Sequence, residues 1–108
     1  ISYRAPELMM PADDGRIDER SDVWSLGCVL FALCFFASPF DLVHEAGGSM
    51  TLAALSGKID IPADSPFPSA VHDLIRILIQ VDPTQRPFVP EVIGKVRGIV
   101  SSVRQAVQ

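Results

Sequence analysis

The 108-residue sequence predicts an all-α fold, about five helices with a buried one at the centre, at 21–36. Three observations carry that expectation. From Val23 to Ala37 the chain is apolar on every face, broken only by Ser25 and Gly27, which marks a helix enclosed by other elements. Val71, Leu74, Ile75 and Leu78 fall at i, i+3, i+4 and i+7, and Val92, Val96, Ile99 and Val103 form a second stripe of helical period. No stretch alternates long enough to be a strand. Ile59-Asp60-Ile61 is too brief, and Pro62, Pro66 and Pro68 keep its surroundings irregular.

The first helix is expected from Ala5 to Met10, with Pro6 in the first turn, where its missing N–H costs little, and Pro11 ending it. Asp13-Asp14-Gly15 reads as a turn. The central helix follows at 21–36, with Ser21 as candidate N-cap, Asp22 in the first turn and Ser38-Pro39 closing it. It is shorter than the roughly 18 residues a membrane span needs. A short helix is expected from Ser49 to Leu55, then an irregular connection, then a helix from about Pro68 to Gln80. The last helix lies after Pro90. Gly94, Gly98 and its β-branched residues weaken it intrinsically, so packing must supply its stability.

Composition limits the function. Hydrophobic residues make up 48% of the chain, which suits one globular domain or part of one. The net charge of −4 and the lack of a basic stripe argue against a nucleic-acid surface. Cys28 and Cys34 lie on one predicted helix, so a mutual disulfide is not expected and a reducing compartment is. His44 and His72 stand far apart without zinc-ligand spacing and read as surface histidines. No serine sits in a nucleophile elbow.

Three fragments carry the functional signal: Tyr3-Arg4-Ala5-Pro6-Glu7, then Asp22-Val23-Trp24-Ser25-Leu26-Gly27, then Asp82-Pro83-Thr84-Gln85-Arg86-Pro87. In this order, with helices in the gaps between them, they resemble the lower lobe of a eukaryotic protein kinase domain, from the end of the activation segment to the last helix. The resemblance covers nearly the whole chain, so 1–108 is expected to be a partial kinase domain, its left edge cut inside a motif. Tyr3-Arg4 looks like the serine/threonine class. Asp18-Glu19-Arg20-Ser21-Asp22, Gly48-Ser49-Met50 and Ile59-Asp60-Ile61-Pro62 look like the Numb-associated kinases, nearest their myristoylated and palmitoylated branch.

The resemblance implies roles for single residues. Glu7 would pair with Arg86, a guanidinium binding a carboxylate through two parallel hydrogen bonds and so fixing angle as well as position. Asp22 would reach back to the backbone of the catalytic loop, and Trp24 would pack beneath Ala5-Pro6-Glu7. Gly27 would permit close backbone approach. Ser2, Tyr3 and Arg4 would line the pocket for the substrate residue beside the phosphate acceptor.

The catalytic parts of a kinase are not in this sequence. Phosphoryl transfer needs a Gly-rich loop, a strand lysine, a catalytic-loop aspartate with its asparagine, and an Asp-Phe-Gly aspartate. ATP and Mg2+ are therefore expected in an intact parent and not on this chain, which has no catalytic, cofactor or metal residues of its own and should be inactive alone. The implied partner is a protein substrate. The implied location is cytoplasmic, with Golgi or other membrane association only through a lipidated N terminus elsewhere. Two classes stay open: the supporting part of an active serine/threonine kinase, or a pseudokinase scaffold using the same helices as an interaction surface.

Overall fold

The computed structural model describes residues 5–6, 18–40, 56 and 59–106. Among these, three α-helices and one 3-10 turn carry the fold, and no strand appears: α1 (Arg20–Phe35), α2 (Ser69–Leu78), the turn Pro83–Gln85 and α3 (Val89–Ala106). Pro6 is helical and Ala5 is not, the rest of the helix anticipated at 5–10 and all of that at 49–55 lie outside the described residues, and Ser56, just past the latter, is helical.

α1 starts earlier than Ser21 predicts. Ser21 sits inside the first turn, buried; Glu19 holds the N-cap position without a side-chain bond, and Asp18 just before it takes up the free donors, its Oδ1 accepting the Arg20 N–H at 2.8 Å and its carbonyl accepting the Ser21 N–H at 3.1 Å. Asp18 prevails because the Arg20 side chain grips the same carboxylate, at 2.8 Å from Nη2 to Oδ2. The helix also stops before Pro39 can act. Phe36 turns left-handed, φ 62°, ψ 23°, while its N–H still donates to the Ala32 carbonyl at 2.8 Å. A side chain there costs about 1–2 kcal/mol, and glycine is the usual occupant.

α2 follows its predicted bounds closely, flanked by Pro68 and Ile79. It crosses α1 at Gly27, where a Cβ would lie 2.7 Å from Ile79 Cγ1 and 2.8 Å from Leu78 Cβ. The crossing divides the core. On one side Trp24, Cys28 and Phe31 of α1 meet Ile75, Ile79, Phe40 and Ala5. On the other, Val23 meets Leu74, Leu78 and Val92.

The described neighbours enclose only one face of α1. Ser21, Val23, Trp24, Gly27, Cys28 and Phe31 are buried, whereas Leu26, Val29 and Leu33 are exposed, Leu33 at 71%. The α3 stripe is covered only at its start. Val92 is buried and Ile99 packs at the edge of the core, but Val96 and Val103 are exposed. No described helix is long and apolar enough to cross a membrane.

Candidate functional site

The site centres on Arg86. Asp82 shapes the turn that delivers it: Oδ1 accepts the Thr84 N–H at 2.9 Å and the Thr84 hydroxyl at 2.7 Å. The Gln85 N–H donates to the Asp82 carbonyl at 3.0 Å, and the Arg86 N–H donates to the Pro83 carbonyl at 3.2 Å. Those Thr84 bonds hold the exposed Asp82 carboxyl below its ordinary range, with the Arg86 and Arg20 charges adding to the effect.

The guanidinium then points inward and is only 2% exposed. Nε donates to the Gln80 carbonyl at 2.6 Å and Nη2 to the Val81 carbonyl at 3.2 Å, both just past the end of α2. Nη1 donates to the Arg20 carbonyl at 2.9 Å, in the first turn of α1. The Trp24 ring lies against the same group, its centroid 5.1 Å from Cζ. One side chain therefore binds the start of α1 to the exit of α2. The planar fork is essential to this, because an ammonium could not meet three carbonyls in fixed directions.

Trp24 is fully buried beneath the chain's first described residues. Ala5 shares its apolar cluster, Pro6 is buried beside Ala5, and Phe40 stacks on the indole at 5.7 Å and 9°. The indole Nε1–H is buried and has no hydrogen-bond acceptor among the described residues. An unmet donor of this kind costs about 1–3 kcal/mol, which the burial of so large a ring must outweigh.

Arg20 forms a second layer that the sequence reading missed. Its side chain binds Asp18 through Nε and Nη2, and its Cζ stands 4.4 Å from the centroid of the Phe88 ring. The bond to Arg20 depresses the exposed Asp18 carboxyl and raises the guanidinium further. Glu19 Oε1 accepts the Val89 N–H at 3.5 Å, at the start of α3. The Asp-x-Arg spacing gave a hint of the local pair. Nothing in spacing could pair Arg20 with Phe88.

The remaining predicted residues divide cleanly. Gly27 stands at the helix crossing. Asp22 is exposed in the first turn of α1, and its carboxylate accepts no hydrogen bond among the described residues. Ser2, Tyr3, Arg4 and Glu7 lie outside the described residues, and with them the anticipated Glu7–Arg86 pair. His44 lies outside them as well. His72 is not a simple surface histidine: it is half-buried, with Nε2 2.8 Å from Ser65 Oγ and its ring tilted against Phe35. Cys28 and Cys34 are free, and burial pushes the Cys28 thiol up to about 12. No group of three or more potential metal ligands occurs among the described residues.

The geometry can hold and aim backbone, and the described residues around Arg86 form no metal cage. Comparison with known proteins gives it a setting. The signature of the protein kinase domain matches residues 1–96. Serine/threonine-protein kinase 16 of Mus musculus is 42% identical over 99 residues, covering 92% of this chain and 32% of that protein, and the Homo sapiens protein of the same name gives the same figures. A Dictyostelium discoideum protein named a probable serine/threonine-protein kinase is 37% identical over 108 residues, 100% of this chain and 13% of its own length. The chain thus spans about a third or less of these relatives. The match over residues 1–96 covers most of the chain, and the chain belongs to the protein kinase domain family.

Proposed function

We propose that this chain is the substrate-side part of the lower lobe of a serine/threonine protein kinase, where it supports the catalytic loop and positions a protein substrate. The reading is carried by the buried Arg86 fork. It fixes Trp24 and the first turn of α1 under Ala5 and Pro6, the stretch that in kinases ends the activation segment. Glu7 completes the clamp by pairing with Arg86, and Asp22, exposed in the first turn of α1, receives backbone N–H groups of the catalytic loop.

ATP and Mg2+ do not fit the residues present. The sequence has no Gly-rich phosphate loop, and the described residues include no metal-ligand cluster. Other residues of the whole enzyme hold both. A further feature agrees with that division. An apolar groove of about 260 Å³ runs between α1 and α3, walled by Leu26, Val29, Leu33, Val96 and Val100. The rest of the catalytic domain covers it. Placement in the lipidated branch of the Numb-associated kinases, cytoplasmic or at Golgi membranes, rests on the sequence at residues 18–22, 48–50 and 59–62.

A chimera tests the reading. This chain replaces the matching segment of Serine/threonine-protein kinase 16, and transfer of phosphate from ATP to a serine/threonine peptide is measured. The expected result is an active enzyme that loses at least tenfold in rate with Arg86→Lys or Glu7→Gln. A chimera that melts cooperatively yet transfers no phosphate would overturn the proposal.

A further inference from the structure

We propose that Ser65 is a phosphorylation site for a separate proline-directed protein kinase, and that His72 holds the resulting phosphate. The sequence contains two Ser-Pro dipeptides, Ser38-Pro39 and Ser65-Pro66. The fold treats them differently. Ser38 is 5% exposed, and Pro39 and Phe40 are buried with it. Ser65 is half-buried in the connection before α2, between exposed Asp64 and exposed Pro66.

Pro66 biases Ser65 toward extended backbone, the shape in which a peptide lies along an enzyme cleft. It also presents no N–H for that cleft to satisfy. On the inner side, Ser65 Oγ meets two groups that suit an anion. His72 Nε2 is 2.8 Å away, and the Phe67 N–H donates to the same oxygen at 3.3 Å. A phosphoryl group adds about −1.5 to −2 charge and three acceptor oxygens. A ring N–H of His72 and the Phe67 backbone N–H can donate to those oxygens. Arg76, one helical turn after His72, adds positive charge, while Asp64 and Asp73 oppose it.

The step balances as an ordinary phosphoryl transfer. Ser65 Oγ turns outward and bonds to the γ-phosphorus of ATP held by the modifying kinase, as the bond from that phosphorus to the ADP oxygen breaks. The hydroxyl proton passes to that kinase's catalytic carboxylate. The phosphate then turns back to His72 and ties the connection to α2 through charge-assisted hydrogen bonds to its oxygens.

The test incubates the full 108-residue chain with ATP and a proline-directed serine/threonine kinase, and maps the phosphate by mass spectrometry. Ser65 is expected to be modified and Ser38 spared in the folded chain, with both modified after unfolding in urea. Ser65→Thr keeps the modification and Pro66→Ala lowers its rate at least tenfold. Equal modification of Ser38 and Ser65 in the folded chain, or an unmodified Ser65 there, overturns the site. Phosphorus NMR tests the holding role: the second phosphate ionisation, ordinarily near pH 6, falls lower in the wild type than in His72→Gln. Coincident titrations overturn that part.

Discussion

The two ends of the α1 surface are built on opposite terms. Around its first turn, Nε, Nη1 and Nη2 of Arg86 each meet a carbonyl, Nε and Nη2 of Arg20 meet Asp18, and the Trp24 and Phe88 rings lie against the two guanidinium groups. Along its outer face, Leu26, Val29 and Leu33 stand against Val96 and Val100 with an apolar groove between them. The junction is specified by this chain's own residues. The groove is apolar surface awaiting a cover, and an exposed Leu or Val forfeits about 1.5–3 kcal/mol of burial.

The strongest way to break that contrast is at Arg86. Arg86→Ala strands the Gln80, Val81 and Arg20 carbonyls and opens the space under Trp24. We expect a loss of about 3–5 kcal/mol, the range for removing one member of a buried charged network. Urea unfolding followed by Trp24 fluorescence measures it. Arg86→Lys should recover little, since one ammonium replaces a three-way fork. A lysine variant as stable as the wild type would show that charge alone suffices.

Gly27→Ala comes next. The added methyl meets Leu78 and Ile79 below 3.0 Å. Overpacking of this kind costs about 1–3 kcal/mol, and the better helix propensity of alanine returns about 1, so a net loss of up to about 2 kcal/mol is expected in the same urea experiment.

Cys28 gives a pH test of the closed side. Its thiol is pushed up to about 12 in the folded chain, against 9.0 as the ordinary value, because burial disfavours the thiolate. Above about pH 9 the unfolded chain therefore releases this proton while the folded chain keeps it. The contribution to stability is complete below about 9 and is lost as pH rises from there toward 12. At pH 8 a thiol reagent should label Cys34 first and reach Cys28 only at the rate of unfolding. Labelling of both at one rate would show the closed side to be open.

The smallest effect belongs to the groove. Leu33→Gln should change the stability of this chain by no more than about 0.5 kcal/mol while reducing its self-association in light scattering. In the kinase chimera the same change should lower the melting temperature. A variant silent in both settings would leave the groove without a cover.

Much of this was readable in the residues, for identifiable reasons. The α2 stripe declared itself because Leu74, Ile75 and Leu78 must face the core at helical spacing. The start of α1 did not, because Asp18 and Ser21 both cap well in isolation and Arg20 decides between them. Phe36 gave no warning, since nothing in its surroundings marks a left-handed stop. The α3 stripe was legible as a pattern, but its exposure was not, because periodicity does not say which neighbours cover a face. Arg86 was legible as a residue whose partner would be Glu7. Its three backbone acceptors were not, because carbonyls leave no trace in side-chain spacing.

Gly27 has one more consequence. The residues that rest on it, Leu78 and Ile79, immediately precede the carbonyls of Gln80 and Val81 that Arg86 must reach at 2.6 and 3.2 Å. The bare backbone at position 27 thus works as a spacer gauge. Thickening it by one methyl would shift the acceptors by a good fraction of a hydrogen bond's tolerance, so the two positions should behave as one unit. In a double-mutant cycle, Gly27→Ala should do less harm once Arg86 is already lost, because no fork would remain to be drawn out of range.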